Sequence, residues 1–355
     1  MKISLKNGVA FSLFPQIILV KWLGYHTDII EKFYSTGLYP VLSKVFRLVF
    51  GWIPFSVGDL IYFILLLLTL IYLFKNWKHI FHYKLKFLRD VLLVLSVAYF
   101  TFHFMWGLNY YREPLAVKLE LTETKNYEDL VFFTEQLVQK TNEAQLIITK
   151  DSSSAVHIPY SQKEMFAITL SGYKSFETKH PFLGYRTPSI KTSLFSKGLT
   201  YMGYAGYLNP FTNEAQVNGL LPNFRFPVVA GHEIGHQLGY SAENETNFIG
   251  YLVTASNEDI YFKYAAYAYA LGYCLNDIRL GDKDVFERIL NQLNPGVKAN
   301  FQEMNDFWNR YENPMEPVFK SVFNSFLKAN NQTQGIKSYN AVVSLLVAYH
   351  KQYPL

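Results

Sequence analysis

The stretch "VVAGHEIGHQLGYSAENETNF", residues 228–248, decides how the rest of the chain is interpreted. It contains two histidines four positions apart, His232 and His236, with Glu233 directly after the first. On an α-helix, positions i and i+4 share one face, so both imidazoles can reach one metal ion. Glu233 then lies beside that face as a candidate general base toward water. We predict a catalytic site with one zinc ion on this helix; the alternative is a helix whose two histidines bind no metal.

The residues around the motif favour a helix of this kind. Pro227 suits its first turn, and Gly239 allows the chain to reverse near its end. Gly231 and Gly235 leave room for another backbone to approach closely. The motif is therefore expected on a helix with its ligands on one face and its core contacts on the other.

A catalytic zinc site usually has three protein ligands and one open position. Glu243 and Glu245, in the stretch "SAENETN", are both candidates for the third ligand. We prefer Glu243, because Asn247 lies four residues later on the same helix face and can hydrogen-bond a ligand histidine. Ser241 is the predicted cap of this second helix. Position 242 holds no histidine, which disfavours a three-histidine site.

Three apolar runs precede this region and predict a membrane anchor. Residues 52–74 and 91–108 are almost free of charge and long enough to cross a hydrocarbon core of about 30 Å. Residues 8–25 form a weaker run, which Pro15 and Lys21 interrupt. We predict about three transmembrane helices; the alternatives are buried core helices for the strong runs and a surface helix for the weak one.

Basic residues predict the orientation of the anchor. The loop 75–89 carries five basic residues and no acidic one, which is typical of the cytoplasmic side. Lys2 and Lys6 before the first run agree with a cytoplasmic N-terminus. Everything after Tyr110 would then lie outside the cytosol, on the periplasmic side of a bacterial inner membrane. The segment 26–51 is predicted as an outer connecting helix. It carries three basic residues that argue against this topology: Lys32, Lys44 and Arg47.

The composition changes at about residue 113, and we divide the chain into an anchor region, 1–112, and an outer domain, 113–355. Helical spacing of apolar residues predicts helices over 127–145 and 161–177, the second capped by Ser161. Alternation and the turn sequence "NPFTN" predict a hairpin over 199–218. After the motif the chain is predicted to be helical to its end. The fold class is therefore a helical anchor with a mainly α, α+β outer domain that contains a small sheet.

Two resemblances add to this interpretation. "HEIGHQLG" followed by "ENETNF" resembles the gluzincin metallopeptidases, in which a later glutamate, followed four residues on by Asp or Asn, completes the zinc site. The resemblance implies a zincin-like domain with His232, His236 and Glu243 as ligands and Glu233 as base. The gap between His236 and Glu243 is shorter than in familiar gluzincins. The whole chain, through "GWIPFSVGDLIY" (51–62) and "WGLNYYREPL" (106–115), resembles DUF3810, a family of Bacteroidetes membrane proteins whose name implies no substrate.

In zincins an edge strand above the metal helix pairs with an extended peptide substrate. Residues 201–209 are the candidate strand here, with Gly203, Ala205 and Gly206 giving access; the alternative is an ordinary aromatic-rich strand. The group that stabilises the transition state is left open. Downstream tyrosines are numerous, and none of these stands out: Tyr261, Tyr264 and Tyr267.

The sequence predicts a membrane-anchored zinc metallopeptidase acting on peptides or proteins outside the cytosol. An intramembrane protease is disfavoured, because polar sequences flank the motif on both sides. A non-catalytic envelope protein that contains zinc or binds peptides remains the alternative. No basic stripe with interleaved aromatics indicates nucleic acid, so no such partner is expected. Cys274 is the only cysteine, which excludes an intramolecular disulfide.

Overall fold

The computed structural model describes residues 4–122 and 126–355, which are mainly helical with one small sheet. Lys2 lies outside the described residues. The first part of the chain forms short helices that bend, with a π-helical segment over Ile30–Leu38. Its α-helices are α1 (Leu5–Phe11), α2 (Leu13–Gly24), α3 (Thr27–Ile29), α4 (Tyr39–Phe50), α5 (Val57–His82) and α6 (Lys84–Met105).

α5 is the one described helix that is by itself long and apolar enough to cross a membrane. Only 11% of its most apolar stretch is buried, so it is not a core helix. A second candidate exists if α1–α2 and α3–α4 together form one span, but these two parts meet at an angle of 93°. Among the described residues there are thus one or two candidate spans, and the prediction of about three is not confirmed.

The predicted spans 8–25 and 91–108 differ from the structure for identifiable reasons. The first is divided between α1 and α2 and then turns sharply into α3. In the second, the charged residues of α6 lie in its first two turns. The remaining apolar part of about 15 residues is roughly 22 Å long, which is shorter than the hydrocarbon core of a bilayer. Trp106 and Gly107, counted in that span from sequence, are buried in a 3₁₀ turn, Gly107–Tyr111.

The remaining helices form a folded body around one large core. The helices predicted over 127–145 and 161–177 are confirmed, and Ser161 caps the second in a capping box with Glu164. The prediction that the chain is helical after the motif is also confirmed, with short breaks between the helices. The α-helices of the body are α7 (Leu115–Lys118), α8 (Tyr127–Thr149), α9 (Gln162–Glu177), α10 (Ser196–Met202), α11 (Phe226–Gln237), α12 (Glu243–Ala255), α13 (Ile260–Gly281), α14 (Lys283–Leu290), α15 (Pro295–Tyr311), α16 (Glu316–Ala329) and α17 (Val342–Gln352), and its 3₁₀ turns are Pro181–Leu183 and Gly335–Ala341.

The small sheet contains the predicted hairpin and a strand that the sequence did not indicate. β2 (Gly206–Asn209) and β3 (Glu214–Val217) pair antiparallel around the "NPFTN" turn. The prediction of strand from residue 199 is wrong, because the residues up to Met202 form α10 and Gly203 ends it at φ +79°. β1 (Ile190–Thr192) adds in parallel to β3, so the order is β1-β3-β2 and β2 is an edge strand.

The start of α5 is built into this sheet. Ser56 caps the helix, and Glu214 of β3 accepts hydrogen bonds from the backbone N–H groups of Val57 and Gly58 at 3.1 and 2.6 Å. Lys191 of β1 forms a buried ion pair with Glu214. The apolar helix therefore leaves the body from a fixed point.

The connecting segment also packs on the body. The Tyr39 hydroxyl donates to the carbonyl of Gln237 at 3.0 Å, and Ser43 donates to the same carbonyl at 3.1 Å. Arg47 is buried, donates to the carbonyl of Thr187 at 3.0 Å and lies over the Tyr185 ring. These contacts explain why Arg47 is buried in the body. From the sequence alone, a basic residue at this position would be expected in solvent or on the cytoplasmic side.

Candidate metal centre

The motif helix α11 packs against α12 through glycines. A Cβ atom on Gly231 would lie 3.0 Å from the Cα of Gly250 on α12, so only glycine allows this approach. Ile234 is fully buried on the core side. At the end of α11, Gly239 has φ +83° and turns the chain toward α12, which begins at Glu243. Ala242, not the predicted Ser241, stands at the cap position, and it makes no side-chain cap bond.

This packing brings both histidines of the motif and one of the two candidate glutamates together. Ligand atoms of His232, Glu233 and His236 lie within 4.8 Å of one another. The Glu243 Oε2 atom lies 3.3 Å from His232 Nε2 and 3.7 Å from His236 Nε2. Glu245 faces elsewhere: it accepts a hydrogen bond from the Leu115 backbone N–H at 2.7 Å. The geometry thus favours Glu243 over Glu245 as a companion of the histidines.

Hydrogen bonds fix which nitrogen of each imidazole faces the centre. His232 Nδ1 lies 2.9 Å from the Asn247 side-chain oxygen, and His236 Nδ1 lies 2.8 Å from the carbonyl oxygen of Tyr240. Because both partners are acceptors, each Nδ1 donates to its partner and each Nε2 faces the centre, where the neutral imidazole offers a lone pair. Asn247 is itself held by the Tyr269 hydroxyl at 2.5 Å. This is the arrangement in which ligand histidines are commonly oriented by a second layer of residues.

Three potential metal-ligand atoms therefore face one another: the two Nε2 atoms and Glu243 Oε2. Glu243 Oε2 is buried and has no well-aligned hydrogen-bond partner, although His232 Nε2 lies 3.3 Å from it. Glu233 Oε2 is also buried without a hydrogen-bond partner. Unpaired buried acceptors cost free energy, and a cation at their centre would remove that cost. Two imidazoles and one carboxylate fit zinc, with room for one further ligand.

The pKa values of the ionisable groups in this site reflect their burial and their close approach to one another. Burial raises the pKa of Glu233 to about 8, with the nearby His236 partly opposing the shift. Burial alone would lower the pKa of His236, but the Glu243 carboxylate outweighs it and raises the pKa to about 9. Burial likewise opposes ionisation of Glu243, yet the two imidazoles hold its pKa below the usual value. The raised pKa values mean that Glu233 and His236 hold protons that binding of a cation would displace.

The edge strand β2 lies directly over the motif. A Cβ atom on Gly206 would lie 2.5 Å from Glu233 Oε1, so a larger residue there would displace the carboxylate. Gly203 and Ala205 line the same cavity as the histidines. All three residues predicted to give access to the strand therefore border the centre. β2 pairs with β3 on one side only, and among the described residues no strand pairs with its other side.

The cavity in front of the centre has a volume of about 600 Å³. None of the three tyrosines considered from sequence lines it; Tyr264, for example, is buried and donates to Asn300 at 2.7 Å. Tyr339 does line it, with its hydroxyl beside the Glu243 carboxylate. Burial and that carboxylate raise the pKa of Tyr339 well above its ordinary value. Sequence gave no signal for Tyr339, because it lies almost a hundred residues after the motif in an irregular segment.

A cation also borders this cavity. Arg225, at the start of α11, stacks on the Tyr269 ring at 3.9 Å and lines both this cavity and a neighbouring one of about 580 Å³. The two cavities together are large enough for several residues of an extended peptide. The cleft thus combines the open edge of β2, a centre of two imidazoles and two carboxyl groups, and the cationic side chain of Arg225.

The chain belongs to the family described as "Protein of unknown function (DUF3810)", whose model matches residues 34–347. The family predicted from sequence is thereby confirmed. No curated protein and no solved structure matches the chain. The argument for function therefore depends on the residues of the site.

Proposed function

We propose that the protein is a membrane-attached, zinc-dependent metallopeptidase that hydrolyses peptide bonds outside the cytosol. The observation that carries the proposal is the convergence of His232 Nε2, His236 Nε2 and a Glu243 carboxylate oxygen beside Glu233, whose buried Oε2 atom has no hydrogen-bond partner. A structural zinc site is usually closed by four protein ligands, whereas this one offers three and a carboxylate that is free to act. That difference favours a catalytic over a structural role.

A zinc ion held by these three residues would polarise the scissile carbonyl and make a neighbouring water more acidic. Glu233 accepts the proton of that water and delivers it to the leaving amine. It is free to do so because it forms no hydrogen bond with any described side chain or backbone group. The Tyr339 hydroxyl, which borders the same cavity beside the Glu243 carboxylate, is the candidate donor to the oxygen on which negative charge develops.

The open edge of β2 supports a peptide as substrate. An extended chain can add to this edge by main-chain hydrogen bonds, independently of its sequence. Gly206 brings that edge close to Glu233, so a peptide paired with β2 would pass in front of the base. Side chains of the substrate would occupy the two adjoining cavities.

The membrane topology that we propose has three crossings, with the body outside the cytosol. Both ends of the α5–α6 hairpin pack on the body: Asp59 accepts from the Leu194 N–H at 2.7 Å, and the Trp106 ring N–H donates to the His236 carbonyl at 3.1 Å. If α5 crosses the membrane, α6 must return through it, with the long basic side chains of its first two turns reaching the interface and compensating for its short apolar part. The α1–α2 segment runs beside α6, where the Ser12 and Ser96 hydroxyls lie 3.0 Å apart. The basic loop between α5 and α6 then supports a cytoplasmic position for the hairpin tip.

Metal content is the first test. We would measure zinc in the detergent-solubilised protein for the wild type and for His232→Ala, Glu243→Ala and Glu245→Ala. We expect about one zinc per chain in the wild type, its loss in the first two variants and its retention in the third. A well-folded wild type that takes up no zinc even when zinc is supplied would overturn the proposal.

Cleavage of a fluorogenic peptide library separates the proposed enzyme from the non-catalytic alternative. Glu233→Gln is the matched control, because it keeps all three candidate ligands and removes only the base. Cleavage by the wild type and not by Glu233→Gln supports the peptidase. Zinc bound by both, with no cleavage by either, would instead favour a zinc-containing or peptide-binding envelope protein.

A further inference from the structure

Helix α16 forms one wall of the cleft over the candidate metal centre. Three of its side chains line the cavity: Lys320, Phe323 and Phe326. The Phe323 ring contacts Tyr204, just before β2, with 5.4 Å between ring centroids. α16 thus lies between the cavity and the exterior, and anything that enters on this side must pass it.

The outer face of α16 is apolar. Met315, directly before the helix, and three of its exposed residues recur at intervals of three or four and form one stripe: Val318, Val322 and Phe326, the last of which also borders the cavity. The other exposed side chains of this face include serines and Lys328 but no carboxylate. The preceding helix α15 is different, because most of its exposed positions are polar or charged: Gln302, Asn305, Asp306, Asn309 and Arg310. A stripe without acidic residues on an otherwise water-facing body is typical of a helix that lies in a membrane surface.

The position of α16 identifies what covers this stripe. Phe326 packs on Phe102 of α6, and Lys21 of α2 donates to the Ala329 carbonyl at the end of α16 at 3.0 Å. The same cavity is lined by Tyr62, two turns into α5. The mouth of the cleft therefore lies where the apolar helices leave the body, and the stripe of α16 is continuous with their exposed surface.

We propose that α16 lies in the outer surface of the lipid bilayer and forms the lipid-facing wall of the cleft entrance. Substrates would then be peptide segments tethered to the same membrane, close to a lipid or transmembrane anchor. This inference rests on the proposed peptidase function and on the membrane attachment, and it adds the class of substrate. It explains why an aromatic cavity next to a metal centre opens beside the membrane helices and not at the far end of the body.

Spin labels test the position of α16 without any need for activity. Cysteine would be introduced at Val322 and, as matched control on the polar face of α15, at Asn309; the native Cys274 is buried and is not expected to react. In nanodiscs of phosphatidylcholine and phosphatidylglycerol, we expect the ratio of oxygen to nickel-chelate accessibility to be several-fold higher at 322 than at 309. Equal ratios would overturn the docking, and dipolar broadening between labels at 322 would assign the stripe to a second copy of the chain.

Cleavage tests the substrate class. One fluorogenic peptide mixture would be presented free in solution and on a dipalmitoyl anchor in vesicles, to the wild type and to Val322→Asp. We expect the wild type to cleave the anchored form many-fold faster, and Val322→Asp to lose that preference while cleaving the free form normally. Equal cleavage of both forms by the wild type would overturn the tethered-substrate class and leave the peptidase standing. Cleavage of neither form would overturn the peptidase, while the labels still decide the docking of α16.

Discussion

The body contains two clusters of buried carboxylates that are built in opposite ways. The junction cluster, where α5 meets the sheet, consists of Ser56, Asp59, Lys191, Tyr207, Glu214 and Gln216; its two carboxylates are fully paired, although Gln216 Oε1 has no hydrogen-bond partner. Both oxygens of Glu214 accept hydrogen bonds, including those from the N–H groups of α5 and the Thr212 hydroxyl. Both oxygens of Asp59 are also paired, one with the Tyr207 hydroxyl and the other with Ser193 and the Leu194 N–H.

The metal cluster consists of His232, Glu233, His236 and Glu243. Here hydrogen bonds are made by the imidazole Nδ1 atoms, which face away from the centre. The imidazoles are held from behind, while Glu233 Oε2 and Glu243 Oε2 remain without a hydrogen bond. Buried polar groups with all their hydrogen bonds made rigidify a fold. Buried polar groups without hydrogen bonds cost folding free energy, and where several converge on one point they are typical of functional sites. The difference between the clusters therefore separates an anchor point from a binding site.

The largest expected effect comes from the same substitution made in each cluster. Glu233→Gln should lower kcat/KM by about 10²–10⁴-fold, since it removes the general base, and should leave thermal stability unchanged or raised because the group has no partner to lose. Glu214→Gln should do the reverse, with zinc content retained and the melting temperature lowered. Activity and melting curves of both variants would decide; equal loss of stability in the two would remove the distinction between the clusters.

The ion pair of the junction cluster sharpens the comparison. Lys191→Met leaves the buried Glu214 carboxylate without its counter-charge, which should cost about 3–5 kcal/mol. Adding Glu214→Gln removes that charge and should restore part of the stability, a non-additive result that a double-mutant cycle of thermal unfolding would measure. If Lys191→Met alone had no effect on the melting temperature, the junction cluster would not be the anchor point that its hydrogen bonds indicate.

A smaller effect is expected behind the metal cluster. Asn247→Ala removes the acceptor that orients His232, and losing such a partner typically weakens metal affinity by about 10–100-fold. The measurement is competition for zinc with a chelator of known affinity. Glu245→Gln is the control from the same helix, because it should not alter zinc affinity. An unchanged affinity in Asn247→Ala would mean that the bond to His232 does not act on the metal site.

The two clusters also differ in how far sequence could reveal them. The metal cluster and Asn247 lie within sixteen consecutive residues, so helical spacing, the chain reversal expected at Gly239 and the gluzincin resemblance were enough to propose their convergence, with Glu245 left as the alternative to Glu243. The junction cluster joins residues more than 130 positions apart, such as Asp59 to Leu194 and Ser56 to Gln216. No periodicity links such positions, which is why neither β1 nor the attachment of α5 to the sheet was predicted.

The same limit applies to the rest of the site. Tyr339 and the aromatic wall of α16 reach the cleft only through tertiary packing, and sequence gave no reason to select them. The apolar runs indicated helices, but residue type could not distinguish the exposed apolar helix from residues such as Trp106, which are buried against the body. Local geometry was therefore predictable, whereas contacts between distant segments were not.

The smallest expected effect concerns a polar residue that was predicted from its local sequence and has no proposed role in function. Ser161 was predicted as a helix cap, and its hydroxyl accepts from the Glu164 N–H at 3.3 Å. Ser161→Ala should lower stability by about 1 kcal/mol, while Ser175→Ala at an exposed interior position of the same helix should be neutral or slightly stabilising. Melting temperatures of the two variants in one detergent would show the difference. Because Ser161 has no part in the proposed chemistry, zinc content and cleavage should stay at the wild-type level, and a loss of either would mean that α9 influences the site.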